Sequence, residues 1–72
     1  MPHLLIFKTN IETENAASEI GKLLKSNTSV INWHIDQEDI DNVLRIESSI
    51  NNIKEIITTI NQAGFICEEL PD

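Results

Sequence analysis

Two stretches with apolar residues at helical spacing, each set between short apolar segments of strand length, limit this chain more than any other feature it carries. In the second stretch Ile53, Ile56, Ile57 and Ile60 fall at i, i+3, i+4 and i+7, which lines one side of an α-helix. Asn52, with Glu55 three residues on, predicts a capping-box-like start. Gly64 supplies the stop. The first stretch, residues 13–26, places Ala16, Ala17, Ile20, Leu23 and Leu24 on one stripe. Thr13 is its expected N-cap, with Glu14 favourably set in the first turn. Gly21 inside this helix costs about 1 kcal/mol relative to alanine.

Four segments around these helices read as strands. Residues 4–9, LLIFKT, are rich in large apolar side chains. Residues 30–36, VINWHID, put Trp33 and Ile35 on one face and Asn32, His34 and Asp36 on the other. Residues 42–48, NVLRIES, turn Leu44 and Ile46 inward and Val43, Arg45 and Glu47 outward. Residues 65–70, FICEEL, form the last strand, closed by Pro71. The polar run between the second and third strands is of hairpin length. The order is therefore βαββαβ. Two interleaved right-handed β-α-β units give an α+β, ferredoxin-like sandwich over residues 1–72, its antiparallel sheet ordered 4-1-3-2 with both helices on one face. In the first strand Leu4 and Ile6 point away from Leu5 and Phe7, so one pair must lie on the open face of the sheet. Leu4, Ile6 and Val43 thereby mark an expected contact surface, for a second copy or another protein.

The net charge of −7 argues against nucleic acid and anionic membranes, since neutralising phosphates takes clustered lysine and arginine. It permits a basic protein partner or a cation. No apolar run approaches the ~18 residues of a membrane span. HLLIF is too short for a signal-peptide core and no cleavage site follows it. A cytoplasmic location is the resulting expectation. The single cysteine, Cys67, agrees with it, because no internal disulfide can form.

Several residues, in order and with suitable gaps, resemble the heavy-metal-associated domain family, which includes small copper chaperones and the N-terminal modules of copper-pumping ATPases. They are Phe7-x-Thr9, then Ile20 with Leu23 and Leu24, then Val30-x-x-Trp33-x-Ile35-Asp36, Leu44-x-Ile46, and Ala63-Gly64-Phe65. The family's metal site is a Met-x-Cys-x-x-Cys motif on the loop leading into the first helix, where two thiolates suit the soft ion Cu(I). The resemblance places Ile11 at the methionine, Thr13 at the first cysteine and Ala16 at the second. Ile11 still fills apolar space; Thr13 and Ala16 bring no thiolate. Residues 1–66 contain no cysteine, so shifting the alignment restores nothing.

Chemistry elsewhere is equally sparse. Met1, His3, His34 and Cys67 are the remaining soft or borderline ligands, and a metal needs three or four converging. In a 4-1-3-2 sheet the third strand separates His3 from His34. His34 reads as an exposed strand histidine and Cys67 as a small packing residue; a dimer that brings copies together favours either as a metal ligand, and an intermolecular disulfide is the other alternative for Cys67. The acidic hairpin from Asp36 through Asp39 to Asp41 lacks the glycine turn and distal glutamate of a calcium loop. With Glu68, Glu69 and Asp72 it offers a docking edge for a basic partner. No nucleophile-base spacing, phosphate loop or partnered carboxylate points to catalysis, and no cofactor is implied. The expected function is a non-enzymatic interaction or regulatory module on a metal-chaperone-like frame. Copper or zinc trafficking through non-standard ligands is the alternative, and a ligand-binding regulatory domain a further one.

Overall fold

A computed structural model describes residues 2–70. Met1, Pro71 and Asp72, to which the sequence assigned a possible ligand, a strand stop and an edge charge, lie outside the described residues. The elements are β1 (His3–Thr9), α1 (Glu14–Lys25), β2 (Val30–Asp36), β3 (Val43–Ser48), α2 (Ile53–Gln62) and β4 (Cys67–Glu69). Neighbouring strands are all antiparallel, in the order β2-β3-β1-β4, which is the expected 4-1-3-2 read from the opposite edge. Ile20 and Leu24 of α1 and Ile56 and Ile60 of α2 meet Leu5, Phe7, Leu44 and Ile46 in one core, so both helices cover the same face. Full burial of such a side chain contributes about 1.5–3 kcal/mol. The outer members of the stripes, Ile53 and Ile57, are half-buried, and Leu23 lies at the rim.

Helix ends follow the local chemistry with one exception. Thr13 caps α1 as expected, its Oγ1 accepting the Ala16 N–H at 3.0 Å. At the far end of α2 Gly64 takes φ +95, and the N–H groups of Gly64 and Phe65 close on the carbonyls of Asn61 and Ile60 at 3.0 and 3.2 Å. That double closure is the Schellman pattern, and it aims Phe65 at the core. The exception is Asn52. It occupies the N-cap of α2, but its side chain makes no capping bond. It is drawn instead into a buried polar cluster, where its amide donates to Ser29 Oγ at 2.7 Å and its Oδ1 accepts from Ser48 Oγ at 3.0 Å. Ser48 faces the core fully buried, so its hydroxyl outbids the helix terminus for that oxygen.

β2 holds a bulge that the alternation alone did not show. Val30 pairs with Ser48 and Asn32 with Glu47, so Ile31 is an extra residue. The insertion shifts the parity, which lets Val30, Trp33 and Ile35 all face the core although the first two are three positions apart. Trp33 in turn explains Gly21. A Cβ at residue 21 would stand 2.5 Å from Trp33 Cζ2, so the indole packs where only a glycine leaves room. Gly21→Ala gains about 1 kcal/mol of helix propensity, but overpacking costs about 1–3 kcal/mol. Net destabilisation is expected in urea unfolding, together with an altered Trp33 emission.

Candidate functional site

The end of the molecule where the resemblance places a metal is built by three loops, and each is tied to the others by oxygen and nitrogen. β1 ends on Thr9, whose Oγ1 donates to the Asn42 carbonyl at 2.6 Å and accepts the Ile11 N–H at 3.2 Å. The Thr9 N–H reaches the Asp41 carbonyl at 3.0 Å, binding the β2–β3 loop to the same strand end. Asn42 makes this possible by adopting φ 44, a left-handed conformation that asparagine tolerates better than most residues. From the same loop Gln37 reaches across. Its Nε2 donates to the Thr13 carbonyl at 2.9 Å and to the Ile11 carbonyl at 3.3 Å. On the remaining side Asn10 Oδ1 accepts the Ile66 N–H at 2.8 Å, which fastens the α2–β4 loop.

The three positions that the resemblance aligns with a metal loop all have structural employment. Ile11 is fully buried in the core. Thr13 spends its hydroxyl on the helix cap, and Ala16 is half-buried against the core. The donors at this corner are hydroxyl, amide and carbonyl groups, which suit hard cations and not a soft one. Among the described residues no ionised sulfur faces it. Cys67 lies in register with Thr9, yet burial pushes its thiol up to about 12, with the Glu68 carboxylate adding to the shift. A thiol so protonated is neither a good nucleophile nor a ready ligand.

The other candidates do not converge. β3 lies between His3, opposite Ser48 on β1, and His34, opposite Arg45 on β2. His34 is exposed on the open face, whereas Cys67 belongs to the core on the opposite edge strand. Among the described residues no group of three or more histidine, cysteine, aspartate or glutamate side chains is placed to hold a metal ion. The acidic hairpin is occupied with its own turns: Asp36 and Asp39 accept the N–H groups of Glu38 and Asp41, and Asp41 lies 3.6 Å from Lys8 Nζ. Between Asp39 and Asp41, Ile40 is 93% exposed.

The expected contact surface on the open face is smaller than the alternation implies. Leu4 is 60% exposed and Ile6 half-buried, but Val43 is only 5% exposed and must be withdrawn as a contact residue. Its outward parity was read correctly, since it stays out of the core cluster. What the pattern missed is its place at the hairpin end, paired with Asp36 beside the turn. Sequence reading also passed over Gln37, Asn10 and Asn42. Asn42 carried a signal, because asparagine before a strand is a common turn residue. Gln37 carried none, as its partners are backbone carbonyls 24 and 26 positions away.

The sequence matches no protein-family profile and no curated protein. Solved structures do match. The yeast copper transporter domain CCC2A superposes with a TM-score of 0.84 at 19% identity, covering 100% of this chain and 99% of that one. The first domain of the human copper chaperone for SOD1 gives 0.79 at 13% identity over 96% of this chain and 93% of that one. The N-terminal domain of ZntA in its Zn(II) form gives 0.79 at 9% identity over 92% and 89%. The chain thus has the heavy-metal-associated, copper-chaperone-like form of the ferredoxin-like fold, with no intact cysteine-pair motif. Two of these structures are named as a copper transporter domain and a domain of a copper chaperone. Among the described residues no helix is long and apolar enough to cross a membrane.

The state of Cys67 gives a check on this corner. An unfolded thiol ionises near the ordinary 9.0 and the folded one at about 12, so unfolding releases a proton between those values. Stability is expected to be unaffected by this group below that window and to fall as pH rises through it. Cys67→Ala should remove this part of the dependence in urea midpoints. Native protein should resist iodoacetamide until denatured.

Proposed function

We propose that residues 1–72 form a non-enzymatic interaction module, a metal-chaperone-like frame that keeps a docking shape without the ion. The observation that supports this best is the corner itself, where Gln37, Thr13 and Thr9 satisfy the loop that thiolates would otherwise organise. Metal-trafficking domains of this form are defined by what their loop binds, and here the loop binds itself. The acidic hairpin tip is the proposed contact for a basic protein partner, with exposed Ile40 flanked by Asp39 and Asp41. The open-face alternative, a homodimer through Leu4 and Ile6, keeps less apolar area now that Val43 is covered.

Metal titration under reducing conditions tests the reading directly. The protein is expected to show no Cu(I) or Zn(II) binding in competition with a weak chelator, and sub-micromolar affinity for either would overturn the proposal. The double variant Thr13→Cys/Ala16→Cys should gain Cu(I) binding, since it returns two thiolates to one helix start. For the acidic edge, Asp39→Lys with Ile40→Asp should abolish cross-linking to a basic partner; unchanged cross-linking would remove that surface from consideration.

A further inference from the structure

The sheet leaves two edges open, β2 and β4, and they are not alike. Along β2, between the strand and α1, runs an open groove of about 490 Å³. Lys22 and Lys25 stand on its helix side, Ile31 and Trp33 on its strand side, and Gly21 between them. The bulge turns Ile31 out of the pairing pattern, leaving it 57% exposed. The lysines occupy the last turn of α1, where they complement the helix dipole. That accounts for their presence on the helix but not for their isolation. Among the described residues the one ion pair joins Lys8 to Asp41, so two of the chain's five basic residues flank this groove without an acidic partner, in a protein of net charge −7.

We propose that the β2 edge and its groove receive an extended segment of a partner protein in which acidic and apolar residues alternate. Its main chain adds to the free edge of β2, displacing Asn32 Oδ1 from the Trp33 N–H that it accepts at 2.9 Å. One of its apolar side chains covers Ile31 and Trp33, and carboxylates on either side of that residue meet Lys22 and Lys25. The charge of the molecule works for this placement, because an acidic strand is repelled by the Asp39 hairpin and by the Glu68–Glu69 edge, whereas the other unpaired basic residues, Arg45 and Lys54, lie away from any free sheet edge. A second copy is the weaker occupant. Its β4 is acidic but only three residues long, and a strand of that length offers little pairing. This inference rests on the interaction-module reading and supplies the chemistry of one partner.

The experiment follows amide shifts of the whole chain during titration with a synthetic peptide alternating glutamate and valine, beside a lysine–valine counterpart. The acidic peptide should move the amides of β2 and of residues 18–25 and slow hydrogen exchange along β2. Lys22→Glu/Lys25→Glu should weaken it by about tenfold or more and take up the lysine–valine peptide instead. Ile31→Ala, at an exposed position, should also weaken the acidic peptide while leaving the urea midpoint unchanged. Absence of shifts at the groove, shifts indifferent to charge reversal, or β2 signals that broaden with protein concentration alone would each overturn the proposal, the last by assigning the edge to a second copy. None of these outcomes bears on metal binding, so they leave the module reading standing; tight Cu(I) binding sinks that reading whatever the peptide does.

Discussion

Burial of the branched side chains of both helices against a single face of the sheet is the contact on which everything else in this molecule depends. A chain of this length conceals only about 60% of its unfolded surface, so it has no second core to fall back on. Ile20, Leu24, Ile56 and Ile60 must all meet Leu5, Phe7, Leu44 and Ile46, and the connections must deliver them there. The consequences run outward from that demand. The bulge in β2 exists so that Val30 and Trp33 share the covered face. Gly21 exists so that Trp33 can approach α1. The Asn52–Ser48–Ser29 cluster closes the end of the core where β3 leaves the sheet and a polar residue, Ser48, faces inward.

The same demand explains how the loop ahead of α1 holds its form without sulfur. Ile11 is part of the core, Thr13 begins the helix that carries Ile20, and both neighbours are pinned by groups from other loops. Removing the cysteines from such a loop leaves the scaffold intact if oxygen and nitrogen take over the tethering. Gln37, Thr9 and Asn10 do this here.

Legibility in the sequence followed the range of the interaction. Periodicity exposed both helices because their stripes are local, and the turn chemistry of Thr13 and Gly64 fixed two of the helix ends. The order of elements then left few topologies, and the sheet order came with them. What stayed hidden was set by distant partners. Nothing near Asn52 tells that its side chain answers to Ser29 and Ser48 instead of its own helix. Nothing near Val43 tells that it is buried while staying outside the core cluster. Of the site, the absent thiolates were plain from composition, while the clamp that replaces them was not. The last strand was read as six residues and forms three, since Cys67–Glu69 alone pair in register with β1, although the Leu70 N–H still reaches the Ile6 carbonyl at 2.8 Å.

The clamp made by Gln37 carries a physiological corollary. In an ion-organised loop, shape follows supply: starvation empties it and oxidative stress closes its sulfurs on each other. A carboxamide bonded to two main-chain oxygens has no such dependence. The hold that Gln37 exerts on this corner is therefore indifferent to copper supply and to peroxide.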